Sequence, residues 1–236
     1  MKSLENGLLK TAMDKHLQPL KEGRFYHIYN QGNNRENIYY NDGNYAYFLQ
    51  KLDYYLSDYM ELYAFCLMPN HFHLLIKVKT IEELDNTANE KFSVFRDNRL
   101  SKSSRLGKSE LEKSKIQADN EIYSDFISTQ FRFFFMSYSK SINKQLERAG
   151  SLFRKNFKRK EITNLPYLQQ AVVYIHRNPV HHDFCDDFTA YRWSSYSKIT
   201  EEKITKLKKK EVLGWFNDKE NYRFIHSRDV EDDIEL

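Results

Sequence analysis

Residues 61–78 read ELYAFCLMPNHFHLLIKV, and this stretch decides the fold. Two apolar and aromatic runs flank Pro69–Asn70, a pair of turn formers, so the segment predicts a hairpin of two antiparallel strands, 61–68 and 71–78. Side chains alternate between the two faces of a strand. In the second run Phe72, Leu74, Ile76 and Val78 therefore share one face, and His71 and His73 share the other. The first face is the expected core. The histidine face is the expected polar one, where truncating a side chain would open no cavity.

Working outward, residues 24–30 (RFYHIYN) form an aromatic, β-branched strand punctuated by a loop at 31–34. Asp42–Gly43–Asn44 opens a helix on which Tyr45, Phe48, Leu49, Leu52, Tyr55 and Leu56 recur at helical spacing. After the hairpin a helix starts near Ile81. Residues 96–121 are polar and lack apolar periodicity, so they read as a mobile insertion. Residues 127–146 form a long helix ended at Ala149–Gly150, and 152–162 supply a fourth strand. Pro166 opens a further helix that Asn178–Pro179 is expected to close near Arg177. The order of strand, helix, two hairpinned strands, insertion, helix and strand predicts an α+β fold: a ferredoxin-like antiparallel sheet with flanking helices. On this reading 1–22 is a lead-in, 23–165 the sheet-bearing domain, and 166–236 a helical C-terminal extension.

At 236 residues, with 40% hydrophobic and 30% charged, the chain can bury a core beneath a very polar surface. No apolar run approaches the roughly 18–20 residues that cross a bilayer, and the first twenty residues lack the grading of a secretion signal. Cys66 and Cys185 sit in apolar or aromatic surroundings, which reads as two reduced thiols in a cytoplasmic protein. A membrane protein, a disulfide scaffold and a zinc ribbon are excluded. The net charge is +4, but the last nine residues hold five acids and one arginine, which leaves +8 on the rest. Residues 144–160 carry seven bases against Glu147 alone, interleaved with Leu152, Phe153 and Phe157. A run of this kind is either a solvated face or a surface that tracks phosphates and stacks bases. The second reading nominates Lys144, Arg148, Arg154, Lys155, Lys158 and Arg159 as nucleic-acid contacts, with Asn33, Asn34 and Arg35 of the first loop beside them.

His71 and His73 lie two apart on a strand, so their Cα atoms are roughly 6.6 Å apart and both imidazoles can reach one divalent cation. Alone, the pattern is equally two polar residues on an exposed strand face. Histidine-triad hydrolases need a third histidine where Leu75 stands, and no Walker loop or GxGxxG is present.

The segment CLMPNHFHLLIKV, with YHIYNQGNNREN before it, resembles the HUH motif (His, bulky hydrophobic, His) of single-tyrosine transposases, in particular the REP-associated tyrosine transposases. SYSKSINKQLERAGSLFRKNFKRKEI is similar to their tyrosine helix and following strand, and YIHRNPVHH and RWSSY resemble their C-terminal signature. The resemblance spans about residues 24–196, with 96–121 extra. It implies a metal-dependent single-stranded DNA endonuclease and strand-transferase of DNA transposition, working through a 5′-phosphotyrosine. His71 and His73 would hold Mg²⁺ or Mn²⁺. Tyr138, at the first tyrosine position of the family's Tyr-x-x-Tyr-Phe-Asn-Arg run, would be the nucleophile, or else a helix-packing aromatic. Here that run reads YSKSINK, with Ser141 at the second tyrosine position. Asn143 is the expected third ligand, with Gln145 or a plain capping role as alternatives. The implied partner is single-stranded or hairpin DNA, bound by a monomer or homodimer. In a plain ferredoxin-like sandwich Tyr138 would have to cross to the histidine face or come from a second subunit. The alternatives are a domesticated nucleic-acid-binding protein that no longer cuts and a phosphodiesterase that uses water.

Overall fold

The computed structural model describes residues 18–103 and 113–228. Four strands, β1 (Phe25–Gln31), β2 (Met60–Met68), β3 (His71–Val78) and β4 (Lys158–Ile162), form one antiparallel sheet in the order β2-β3-β1-β4. The helices are α1 (Asp42–Leu56), α2 (Asn86–Ser103), α3 (Lys113–Gln145), α4 (Leu165–His181), α5 (Tyr196–Thr200), α6 (Lys209–Trp215) and α7 (Lys219–Ser227). This is the predicted ferredoxin-like order, followed by a helical C-terminal part.

One face of the sheet packs on α1 and α3. Asn41 caps α1 by accepting the Asn44 N–H, and the helix then buries Tyr45, Phe48, Leu52 and Leu56. These meet Phe72, Leu74, Ile76 and Val78 of β3 and Phe131, Phe134 and Tyr138 of α3 in one core. The segment expected to be a mobile insertion is helical wherever it is described. Phe92 and Phe95 of α2 interlock edge-on with Tyr123 and Phe126 of α3, aromatic packing that charge-rich text does not advertise. Residues 104–112, and the lead-in before residue 18, lie outside the described residues.

The second face departs from expectation, because it is covered. Leu75 of β3 and Cys66 and Met68 of β2 pack against Leu168, Ala171, Val172 and Ile175 of α4, with Val212, Phe216 and Tyr222 outside them. The spacing of 168, 171, 172 and 175 is one apolar helix stripe, and it needs an apolar partner. Helix α4 also runs through Pro179 to His181 instead of closing at Asn178. A proline removes one helical hydrogen bond. Here Pro179 is buried, and the His182 N–H closes the last turn on the Asn178 carbonyl at 3.0 Å.

The outer edge of β2 is capped by residues 193–195. The Leu67 N–H donates to the Trp193 carbonyl and the Ser195 N–H to the Phe65 carbonyl, both at 2.9 Å. Ser195 Oγ accepts the Phe65 N–H at 2.8 Å and pairs with His176 Nε2 at 2.7 Å, while His176 Nδ1 pairs with His226 Nε2 at 2.9 Å. A buried polar chain therefore ties the sheet edge to α4 and α7. Burial holds both histidines neutral, His226 down to about 4 and His176 well below its ordinary value. Among the described residues no helix is long and apolar enough to cross a membrane.

A histidine that resists protonation when folded but accepts a proton near 6.5 when unfolded stabilises the fold fully above that value. The stability is lost as pH falls toward 4. The melting temperature should therefore fall by several degrees between pH 7.5 and pH 5, since each kcal/mol lost lowers it by about 2–4 °C in a domain of this size. A flat profile by circular dichroism would contradict a buried neutral pair. Ser195→Ala strands the Phe65 N–H and His176 Nε2 and should cost about 1–3 kcal/mol in urea unfolding.

Candidate active site

Strand alternation places His71 and His73 beside each other under α4. Cross-strand neighbours complete the layer, with Gln31 opposite His71, Tyr29 opposite His73 and His27 opposite Leu75. His27 Nε2 and His73 Nδ1 are 2.8 Å apart, and Tyr29 stacks on both rings. His71 Nδ1 lies 2.6 Å from Asn70 Oδ1. An amide oxygen only accepts, so Nδ1 carries the His71 proton and Nε2 offers its lone pair. That Nε2 is buried and has no hydrogen-bond partner.

Helix α4 supplies the opposite wall. The Tyr174 ring stands edge-on to His73 at 5.7 Å and to His27 at 5.8 Å between centroids. Two turns on, the His182 ring stands edge-on to His71 at 4.6 Å. Asn178 lies one turn after Tyr174 and one before His182, so it shares their stripe. Its Nδ2 donates to the Tyr174 carbonyl at 2.8 Å, and its buried Oδ1 has no partner. Two unpartnered lone-pair atoms, His71 Nε2 on β3 and Asn178 Oδ1 on α4, are thus buried. Such atoms are costly unless something binds them.

Burial dominates the electrostatics. It lowers His71 to about 4, with the charge of His182 adding to the effect, and pushes His73 well below its usual value, aided by His27 and His71. His27 falls to about 3, from burial and then Lys160, and burial raises the Tyr174 phenol. At neutral pH the imidazoles are uncharged, which is the form that ligates a metal. Among the described residues no three His, Cys, Asp or Glu side chains converge on one point. A cation here would rest on two imidazoles and an amide oxygen, with positions left open.

The cavity in front of the histidines encloses about 740 Å³ and is also lined by Arg35, Arg154, Lys155 and Lys158. Arg35 reaches it through a strained loop, since Asn34 and Arg35 both adopt left-handed backbone at φ 54° and 61°. Gly32 makes that loop possible, because a Cβ there would fall 2.1 Å from the Glu36 carbonyl oxygen. The Asn33 side chain pins the loop to the Ser151 carbonyl at 2.8 Å, and Asn34 is exposed. The rest of the basic run divides. Arg148 pairs with Glu36 at 2.7 Å, Lys144 is exposed on α3, and Arg159 turns to the α3 side, bonding Ser128 Oγ at 2.8 Å. Leu152, Phe153 and Phe157 are core residues, 8% exposed or less, so they offer no stacking surface.

Two expectations need correction. Tyr138 is fully buried on the α1 side of the sheet, donates its hydroxyl to the Ile38 carbonyl at 2.7 Å, and packs edge-on against Phe48. The sheet separates it from His71 and His73, and burial holds its phenol far above the ordinary tyrosine value. Asn143 is consumed in a turn, its Nδ2 donating to the Gly150 carbonyl at 2.8 Å and its Oδ1 accepting from Arg148 at 3.0 Å. Gln145 accepts from Asn44. The residues that do reach the histidines are His27, Tyr29, Tyr174 and His182, and Asn178 lies on the same stripe of α4. Their signal was present in YIHRNPVHH, where Tyr174, Asn178 and His182 recur every fourth residue. Ending the helix at Asn178 hid it.

No protein-family model matches the chain, and no curated protein matches it. Among solved structures the chain is similar to a REP-associated tyrosine transposase bound to a REP hairpin. The TM-score is 0.50 at 14% identity, covering 78% of this chain and 82% of that one. At this identity the likeness bears on the fold, and it agrees with the four-stranded antiparallel sheet flanked by helices.

Because His73 is buried and paired with His27, His73→Ala should destabilise the protein by roughly 1–3 kcal/mol, against the small loss expected of an open polar face. Tyr138→Phe removes the bond to the Ile38 carbonyl and the longer one to the Asn44 carbonyl and should cost about 1 kcal/mol. Urea unfolding of both variants measures the difference.

Proposed function

We propose that the protein is a metal-dependent, HUH-type single-strand DNA nuclease and strand-transferase whose nucleophile is Tyr174. The observation that carries this reading is the contact of Tyr174 on α4 with the histidines of β1 and β3. The Tyr174 ring stands edge-on to His73 and His27, and His71 Nε2 on β3 and Asn178 Oδ1 on α4 are buried without partners. The solved structure of similar fold is bound to a REP hairpin, which supports a nucleic-acid hairpin, read here as hairpin or single-stranded DNA, as the substrate class. Arg35, Arg154, Lys155 and Lys158 line the cavity in front of His71 and His73 and suit a phosphate backbone.

A divalent cation held by His71, His73 and Asn178 would place positive charge on the non-bridging oxygens of a phosphodiester. The mixture of imidazole nitrogen and amide oxygen suits Mn²⁺ better than Mg²⁺. The chain's own residues do the rest. Asn70 fixes the His71 ring through Nδ1, and His27 fixes His73. The cations orient the strand. Tyr174 Oη bonds to phosphorus as the P–O3′ bond breaks, its proton passes to water, and the 3′-oxygen takes a proton from water to leave as a free hydroxyl. The product is a 5′-phosphotyrosyl enzyme, which a 3′-hydroxyl attacks in reverse without a nucleotide cofactor. Tyr174 and the histidines belong to one chain, so the reaction runs in cis.

Incubation with a DNA hairpin carrying single-stranded flanks and Mn²⁺, followed by a denaturing gel, tests the reading. Wild type and Tyr138→Phe should form a covalent adduct, and Tyr174→Phe should form none while still binding DNA. Cleavage without an adduct would point to water as nucleophile, and binding without cleavage to a silent DNA-binding protein. Because burial raises the Tyr174 phenol, the rate should climb up to about tenfold per pH unit between pH 6 and 9.

A further inference from the structure

Edge strand β4 alternates like any strand, so its cations divide between two faces. Lys158 lines the histidine cavity, and Arg159 faces the opposite side, where a second and larger cavity of about 1090 Å³ lies between β4, α2 and α3. The cations of this groove stand on both walls, Arg132 and Lys140 on α3 and Arg154 and Arg159 on the β4 side. Its one lining carboxylate, Asp125, is engaged by Arg99. Arg159 has no ion-pair partner among the described residues. Its plane lies over the Phe157 ring at 4.6 Å, and its Nε is buried without a hydrogen bond. Partly exposed Phe135 and Met136, the latter 60% exposed, supply apolar surface between the cations.

Asn30, Arg154 and Asn156 line both cavities, so the histidine site continues past the loop before β4 into the groove. We infer that the groove is a second subsite for the same single-stranded nucleic acid. Arg132, Lys140 and Arg159 would hold its phosphates, and Phe135 and Met136 would receive its bases. Cations alternating with apolar side chains are the chemistry of strand binding without sequence readout. The volume exceeds the roughly 300–1,000 Å³ of small-ligand sites, which suits several linked nucleotides. Continuity with the histidine cavity favours a nucleic acid over an acidic protein segment. The inference rests on reading that cavity as a nucleic-acid site.

The test is fluorescence anisotropy with oligo-dT of 4 to 20 nucleotides, without added metal, across a salt series. Arg132→Glu/Lys140→Glu alters two exposed residues, so its melting temperature should match wild type. Wild-type affinity should rise with length. The variant should lose that gain, bind the longest oligonucleotide at least tenfold more weakly, and show a salt slope lower by about 1.4, or 0.7 per lost single-strand phosphate contact. Wild-type affinity and slope in the variant would overturn the inference and leave the cations to another partner, such as an acidic protein segment. Failure of the histidine-cavity reading looks different. Lys155→Ala/Lys158→Ala would then bind like wild type, no tyrosine adduct would form, and the groove variant would still lose affinity.

Discussion

Everything in the site depends on α4 lying across the second face of the sheet. The two-residue period of β3 sends Phe72, Leu74, Ile76 and Val78 to one side and His71, His73 and Leu75 to the other. Had the second face been polar throughout, it could have stayed in water. Leu75, together with Cys66 and Met68 of β2, makes that impossible, and the apolar stripe of α4 answers them. Docking that stripe seals the far end of the strand and leaves the histidine end roofed by the polar continuation of the same helix. The helix passes from Leu168, Ala171, Val172 and Ile175 to Tyr174, Asn178 and His182 along its length. The same docking therefore makes a core at one end of β3 and a cavity at the other.

Burial then sets the chemistry. His27 and His73 are buried and His71 is half-buried, with burial lowering all three, so each is held neutral and keeps a lone pair at neutral pH. An exposed pair would be half protonated near pH 6.5 and would repel a cation. The cost of desolvation is offset only in part inside the chain. His27 and His73 satisfy one another, and Asn70 satisfies one nitrogen of His71. What remains at the site is His27 Nδ1, His71 Nε2 and Asn178 Oδ1, and the last two have the donor character that a divalent ion accepts.

The sheet was legible in the sequence because its signals are local. Pro69–Asn70 marks the hairpin, alternation marks β3, and Asp42–Gly43–Asn44 marks the start of α1. The histidine pair was legible for the same reason. Which tyrosine lies beside the histidines was not, because it turns on which sheet face a helix covers, and that is decided by long-range packing. Tyr138 sits in a run rich in phenylalanine, where a phenol buried in the core and a phenol aimed at a substrate look alike. Proline misled at Pro179, since its ordinary effect of stopping a helix was overridden once the residue was buried. The aromatic residues of the basic run misled similarly. Phe153 and Phe157 alternate with cations as stacking residues would, but they point into the α3 core.

Helix α4 also explains the C-terminal layers. Tyr174 and His176 are two residues apart, about 200° around a helix, so they face opposite ways. One side of α4 presents Tyr174 and Asn178 to the histidines. The other is held through His176 by Ser195, which grips the backbone of β2 at Phe65, and by His226 of α7. As the proposed nucleophile, Tyr174 would have to be held to a fraction of an ångström, and a helix resting on apolar contacts alone can slide. A directional hydrogen-bond chain anchored in the sheet edge prevents sliding. The Trp193–Ser195 segment and α7 therefore act on Tyr174 through α4, although neither lines the cavity in front of the histidines.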